Sequence, residues 1–323
     1  MFRRIGLFCI LFLLSGAVLV QGQTPDLALK YFEHGSKHYR QGDFDRAIED
    51  FSKAIEISSR PAGSKLSSKI APVPANAFAA PGDEAGEIYV IDPFTAHALI
   101  CRSLAFIQKR DFDHAVADLD RAIAINPAIA EAYLDRGGAR YAKGDRQAAL
   151  DDLNKAIKLN SKLAAAYINR GAVLIQIGNI DAAFVDLDKA IKLDPNEPKA
   201  YGHRGFAWML RKDFERALAD FDTAIKLDSQ LAWLFGGRGT AHLARNELEP
   251  AIADFNRAVQ LNPDLEAAFK NRGIALLLQG KEIEAVRDFE RALAIDPDLK
   301  GELSILIEAA HNSASKRATI SPE

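Results

Sequence analysis

The sequence predicts an all-α protein made of seven stacked helix–turn–helix units and a C-terminal capping helix. A nine-residue pattern, Ala-x-x-Asp-Phe/Leu-x-x-Ala followed by Ile, Val or Leu, occurs seven times, and from Ala115 onward it recurs every 34 residues. No stretch of alternating apolar residues is long enough to predict a sheet. A fixed period of this length is typical of proteins built from stacked repeats.

Each copy of the pattern follows an earlier helical block that carries a periodic glycine. In the pattern itself, the two alanines, the Phe or Leu between them and the final aliphatic residue share one stripe of a helix. The glycines keep the same period, with Ser103 in their place in unit 2: Gly35, Gly137, Gly171, Gly205, Gly239 and Gly273. Small residues there let two helices approach closely. One hairpin cannot bury its apolar face alone, so neighbouring units must stack.

This pairing resembles the tetratricopeptide repeat, in which aromatic, small and apolar residues stand at fixed offsets. Unit 5 shows the matching residues Tyr201, Gly205, Trp208, Ala217, Phe221 and Ala224. Unit 7 shows Phe269, Gly273, Ala285, Phe289, Ala292 and Pro297. The resemblance implies a right-handed superhelix, or α-solenoid, whose first helices line a concave groove.

The repeats and their interruptions divide the chain into six segments. These are a leader at 1–22, unit 1 at 27–60, an inserted loop at 61–94, units 2–7 at 95–299, a capping helix at 300–311 and a disordered tail at 312–323. Five prolines between Arg60 and Pro93 exclude helices over most of the insertion. A loop of this length is either a mobile linker, which we favour, or an arm that binds a partner or covers the groove.

The leader is typical of a secretory signal. Arg3 and Arg4 precede an apolar run from Ile5 to Val20, and Gly22 offers a small residue before the cleavage point. This predicts a periplasmic or secreted protein; an uncleaved N-terminal anchor, which alone would contact a membrane, is the alternative. Without the leader Cys101 is the single thiol, so no internal disulfide forms.

The net charge is -3, or -5 without the two leader arginines, which argues against nucleic-acid binding.

Opposite charges recur with the repeat and predict a structural series of ion pairs. Arginine precedes the glycine position in six units: Arg102, Arg136, Arg170, Arg204, Arg238 and Arg272. Aspartate stands at one position of the second helix in all seven: Asp50, Asp118, Asp152, Asp186, Asp220, Asp254 and Asp288. The alternative is a charged track along which a polymer binds. We favour pairs that maintain unit geometry.

The resemblance also implies which residues meet a protein or peptide partner in the groove. The candidates are Tyr141, Asn169, Lys199, His203, Phe206, Trp233, Thr240, Lys270 and Asn271. Large aromatic residues dominate interface hot spots, which favours Phe206 and Trp233, and packing between units is the alternative for both. The carboxylate clamp of chaperone-binding family members is not matched. The asparagine series of the sugar-transferase superhelix is matched only by Asn169 and Asn271.

Catalytic, metal and cofactor sites are not predicted. His34 and His38 form an i,i+4 pair without a recognisable third ligand, which favours ordinary helix positions. The run from Gly236 to Thr240 lacks the Lys-Ser/Thr ending of a phosphate loop and lies in a predicted helix. No serine, cysteine or histidine stands in a local nucleophile motif.

The sequence therefore predicts an exported, non-catalytic adaptor that binds a partner protein or extended peptide. A module that handles a glycan or exopolysaccharide is the alternative, and an enzyme with a site at the inserted loop is a third. An evenly spaced row of aromatic residues would favour the polymer; a local aromatic cluster with flanking charges would favour a peptide.

Overall fold

The structure, a computed structural model, describes residues 26–59 and 93–320, with side chains described up to 312. Within these ranges the chain forms fifteen α-helices and one short 3-10 helix, with no strand. The predicted leader and nearly all of the predicted insertion lie outside the described residues. The prediction of an all-α array of helix–turn–helix units is confirmed.

Among α1–α14, odd-numbered helices are the first helices of repeats 1–7 and even-numbered helices are the second. The first helices are α1 Asp26–Gln41, α3 Pro93–Gln108, α5 Ala130–Lys143, α7 Ala164–Gln176, α9 Pro198–Leu210, α11 Ala232–Ala244 and α13 Glu266–Leu278. The second helices are α2 Phe44–Ser58, α4 Phe112–Ile125, α6 Arg146–Leu159, α8 Ile180–Leu193, α10 Phe214–Leu227, α12 Leu248–Leu261 and α14 Glu282–Ile295. The 3-10 helix Pro297–Leu299 and α15 Lys300–Ile320 follow.

A left-handed residue ends the first helix in every repeat and turns the chain into the second. Glycine takes this conformation in four repeats, at Gly42, Gly144, Gly178 and Gly280. Arg110, Lys212 and Asn246 take it in the others, with φ near 60°. The next residue then caps the second helix; Asp43, Asp111, Asn179 and Asp213 each accept a backbone N–H from the residue three positions later.

The turn between repeats is fixed by an Asn or Asp at the end of the second helix. Its side-chain oxygen accepts the N–H two residues later, at 2.9 to 3.2 Å, in the residues Asn126, Asp194, Asp228, Asn262 and Asp296. Pro127, Pro195 and Pro263 lie in these turns. They separate helices and do not begin the next one.

The periodic glycine lies against the Phe or Leu of the second helix. A Cβ on Gly205 would lie 3.0 Å from the Phe221 ring, and one on Gly273 would lie 2.5 Å from Phe289. The Phe and Leu residues at this position in repeats 1–7 are 0 or 1% exposed. The two helices of these repeats therefore cross so closely that a Cβ at the glycine has little or no room, whereas repeat 2 accommodates Ser103 at this position.

The array falls into two compact units. Repeats 1–3 belong to the first unit, which extends to Ser161, and repeats 4–7 with α15 belong to the second. In the first unit, repeats 1 and 2 pack directly on each other although the insertion separates them in sequence. Arg102 donates to the Ser52 hydroxyl at 2.8 Å, and the Ser58 and Thr95 hydroxyls share a hydrogen bond of 2.8 Å.

In the second unit, α15 covers the apolar end of repeat 7. Leu303 is fully buried against Phe289, Ala292 and Leu276. The sequence prediction ended this helix at 311, and that end is wrong, because the helix continues to Ile320. Polarity led to the predicted end, but no Gly or Pro lies between Gly301 and Pro322 to stop the helix. At the other boundary, α3 already begins at Pro93, inside the predicted loop.

Within the part of the chain that the structure describes, no helix combines the length and apolar character of a membrane span.

Candidate functional site

The candidate site lies on the first helices, on the side turned away from their second helices. In α5, Arg136 and Gly137 contact α6, whereas helical spacing places Glu131, Asp135 and Gly138 on the opposite side. We call this side, with its equivalents in the other repeats, the first-helix face. Seven of the nine predicted groove residues occupy it: Asn169, Lys199, His203, Phe206, Trp233, Thr240 and Asn271. Helical spacing places Tyr141 and Lys270 on the flanks of their helices.

The six arginines that precede the periodic glycine position, with the aspartates they pair with, form what we call the Arg–Asp ladder. It lies on the side of the first helix that faces the second helix of the same repeat. Each of the six arginines donates from Nε and Nη2 to both carboxylate oxygens of the aspartate 16 residues later, at 2.6 to 2.9 Å. These six aspartates are at most 7% exposed. In repeat 1, where His34 replaces the arginine, Asp50 pairs with His38 Nδ1 at 2.9 Å. The bidentate Arg–Asp pairs fix the geometry of their repeats.

Within each compact unit, the ladder arginine also joins one repeat to the next. Its Nη1 donates to the second helix of the preceding repeat, for example from Arg204 to Asp188 at 2.7 Å and from Arg238 to Asp222 at 2.6 Å. In repeat 7 Arg272 makes the same bond to Asn256 at 2.7 Å. In these arginines Nε, Nη1 and Nη2 all donate to side chains of the protein. The ladder is therefore suited to fixing the register of stacked repeats.

An aromatic ring supports the guanidinium in repeats 3–7. Tyr or Phe three residues before the arginine has its ring centroid 5.4 to 5.7 Å from the guanidinium carbon. A planar guanidinium can stack in this way while it binds a carboxylate in two places, and an ammonium group cannot. This geometry explains why the position is Arg rather than Lys.

An aromatic cluster occupies the junction of repeats 5 and 6 on the first-helix face. The Trp233 ring stacks with His203 at 5.2 Å and with Phe206 at 5.9 Å between centroids. It also lies over Gly202, where an added Cβ would be 2.4 Å from an indole carbon. Phe206 in turn contacts the buried Phe221 edge-on at 5.1 Å. The aromatic rings thus pack between repeats, as the alternative interpretation predicted, and Trp233, His203 and Phe206 still keep part of their surface exposed.

His203 lies in a poorly hydrated part of this face. Burial and then the nearby charge of Lys199 lower the pKa of its imidazole to about 4. The ring is therefore neutral at pH 7 and stacks on Trp233 without a charge.

Polar contacts already engage three of the remaining predicted residues. Asn271 donates to the Thr240 hydroxyl at 3.1 Å, and Thr240 donates to the Gly236 carbonyl at 2.8 Å. Lys270 pairs with Glu302 of α15 at 3.3 Å. These contacts join repeat 7 to repeat 6 and to the capping helix.

Asn169, Lys199 and Tyr141 are half-buried. Burial raises the pKa of the Tyr141 phenol. The structure brings Lys199 close enough to His203 for its charge to matter, and it places Tyr141 at the end of α5 in the other compact unit.

Asp135 is a residue of this face that the predicted set omitted. It lies at the same helical position as Asn169, His203 and Asn271, and burial together with the charge of Glu131 raises its pKa to about 7. The available sequence signal was its register, because no other carboxylate occupies this position in repeats 2–7.

Comparison with known families decides what kind of protein this is. Models of the tetratricopeptide repeat match residues 31–61, 102–164, 164–197 and 266–299, and a further TPR repeat model matches 239–280. Together they cover more than half of the chain. The chain belongs to the tetratricopeptide repeat family. Such TPR domains are typically protein–protein interaction modules and generally non-catalytic.

Solved structures share the TPR fold at low sequence identity. A tetratricopeptide repeat protein from Parabacteroides merdae is 18% identical over 90% of this chain and all of its own, with a TM-score of 0.63. The Cut9-Hcn1 hetero-tetramer of APC/C gives 15% identity over 87% of this chain and 55% of the other, with a TM-score of 0.64. The pilF protein of Pseudomonas aeruginosa is 17% identical over 62% of this chain and 92% of its own, with a TM-score of 0.52. No curated protein matches the sequence.

Proposed function

We propose that this TPR chain is a non-catalytic adaptor that binds a partner protein or an extended peptide segment on its first-helix face. The aromatic cluster of Trp233, Phe206 and His203 is the observation that supports this most. Large rings that stay partly exposed at the centre of a face are typical interface anchors. Within each compact unit, the ladder on the opposite side of the same helices keeps the repeats of that face in register.

The distribution of aromatic residues favours a peptide over a polysaccharide. A polymer of repeating sugars would be bound by rings at regular intervals along the face. The positions equivalent to Trp233 and Phe206 in repeats 4 and 7 are instead Ala165, Ala172, Ala267 and Ile274. The rings form one local cluster, and Lys199 lies beside it. This pattern matches a short apolar anchor with a polar surround.

Assembly with other proteins is known for one structural neighbour, since Cut9 forms a hetero-tetramer with Hcn1. For this chain we propose an exported setting, periplasmic or secreted, on the composition of residues 1–22. An anchor formed by an uncleaved leader is the alternative.

Site-specific photo-cross-linking in cells that produce the protein tests the proposed function. Ala267 is exposed on the first-helix face, so a photoreactive residue there leaves the packing of Trp233 intact. The matched control is Val185, which is 68% exposed on the second helix α8. We expect a discrete cross-linked partner from position 267 and none from position 185. Equal cross-linking from both positions, or from 185 alone, would contradict binding on the first-helix face.

A further inference from the structure

Asp135 differs from the carboxylates that the fold uses. Each of the six deeply buried ladder aspartates receives two hydrogen bonds from an arginine. Asp135 is half-buried and has no hydrogen-bond or ionic partner among the described residues. The residue nevertheless keeps part of its surface accessible, and its helical position lies on the first-helix face. A carboxylate in this position is available to a group that comes from outside the chain.

The charges around Asp135 leave it uncompensated. Arg136 and Arg140 follow it on the same helix, but both donate to Asp152 on the other side of the helix, at 2.6 to 2.9 Å. Glu131 lies one turn earlier on the same face and adds a second negative charge. The equivalent residue of the preceding repeat, Cys101, carries no charge that would compensate it.

These unfavourable surroundings change the pKa of the Asp135 carboxyl. Loss of hydration, and then the charge of Glu131, raises the pKa of Asp135 to about 7. Structural packing does not require an acid here, because Asn169, His203, Gly237 and Asn271 occupy the equivalent position in repeats 4–7. A cation placed against the carboxylate would remove the cost.

We propose that Asp135, with Glu131 beside it, binds a lysine or arginine side chain of the partner. This inference rests on the proposed function, since it assigns a basic residue to the peptide that lies on the first-helix face. Gly138, one turn beyond Asp135, has no side chain to obstruct an approaching ammonium or guanidinium group.

Selection from a phage library of random 12-residue peptides tests this inference. Peptides are selected on the full-length protein and, in parallel, on Asp135→Asn. The matched control is Asp151→Asn, which removes one charge from an exposed position on α6 of the same repeat. We expect lysine or arginine to be enriched on the wild type and on Asp151→Asn, and the enrichment to be lost on Asp135→Asn. The best peptide should bind Asp135→Asn about tenfold more weakly, and so should its lysine-to-norleucine version on the wild type.

Proton release gives a readout that a purely structural role of Asp135 would not change. Because the free carboxyl is about half protonated at pH 7, binding of a cation should release about 0.5 proton. Titration calorimetry in phosphate and in Tris should show a buffer-dependent heat for the wild type and none for Asp135→Asn.

The outcomes separate this inference from the proposed function. Peptides that bind without basic enrichment, or that bind Asp135→Asn equally well, overturn the role of Asp135 and leave the adaptor proposal intact. If peptides bind but bulky substitutions at Ala165 and Ala267 weaken the binding of none of them, both the role of Asp135 and the adaptor proposal are overturned.

Discussion

Removal of one ladder carboxylate should destabilise the second compact unit strongly. Asp220 is 7% exposed and accepts two hydrogen bonds of 2.8 Å from Arg204. In Asp220→Ala the guanidinium keeps only its bond to Asp188, at 2.7 Å. Breaking a buried pair costs about 3–5 kcal/mol, and the remaining bond to Asp188 places the expected loss near the lower end, at about 3 kcal/mol.

Tryptophan fluorescence during urea unfolding measures this loss locally. The chain has two tryptophans: Trp208 lies in the same repeat as the Arg204–Asp220 pair, and Trp233 lies in the next repeat. With a slope of about 2 kcal/mol per molar urea, a loss of about 3 kcal/mol lowers the midpoint by roughly 1.5 M.

The control is Asp181→Ala, which removes an exposed partner of Arg211 and should leave the midpoint nearly unchanged. An unchanged midpoint for Asp220→Ala, with loss of partner binding, would show that the ladder is a binding track and refute the structural interpretation.

Four further substitutions test other parts of the account by urea unfolding, which is followed by tryptophan fluorescence for the three in repeats 5 and 6 and by far-UV circular dichroism for Asp135 in the first compact unit. Gly236→Ala should raise the free energy of unfolding by about 0.5–1 kcal/mol, because a Cβ there meets only one atom, at 3.8 Å. Gly202→Ala should lower it, because its Cβ meets an indole carbon at 2.4 Å. Equal effects of the two substitutions would contradict the packing described. Asp135 has a pKa of about 7 in the folded chain against 3.8 when unfolded, so it destabilises increasingly as pH rises from 4 through 7. Asp135→Asn should therefore raise the midpoint at pH 8 and not at pH 4, and a rise that is independent of pH would refute this. His203 has a pKa of about 4 against 6.5, so stability is lost as pH falls from 6.5 to 4. His203→Phe should flatten that decline, and an unaltered pH profile would show that the imidazole does not contribute to it.

The repeat architecture was accessible from sequence because its determinants recur. The Ala-x-x-Asp pattern fixes the core stripe of each second helix, and the glycine opposite Phe221 or Phe289 recurs with it. Arg204 and Asp220 were recognisable as a pair because opposite charges shared one period. A pattern that is repeated six or seven times can be recognised in the sequence without knowing which residues contact each other.

Contacts that occur once were not accessible in this way. Trp233 packs over Gly202, 31 residues earlier, and no other repeat has this combination of residues. Whether a first-helix residue is free or engaged depends on the adjacent repeat, as Lys270 with Glu302 shows. Asp135 was left out of the predicted set because its importance lies in a missing counter-ion, which only the surroundings reveal.

Hydrogen–deuterium exchange with the cross-linked partner, or with the best selected peptide, tests the central claim most directly. If a partner lies on the first-helix face, binding should slow exchange in odd-numbered helices, above all α9 and α11, and leave the even-numbered helices of the same repeats unchanged. Slowed exchange confined to even-numbered helices would contradict the account.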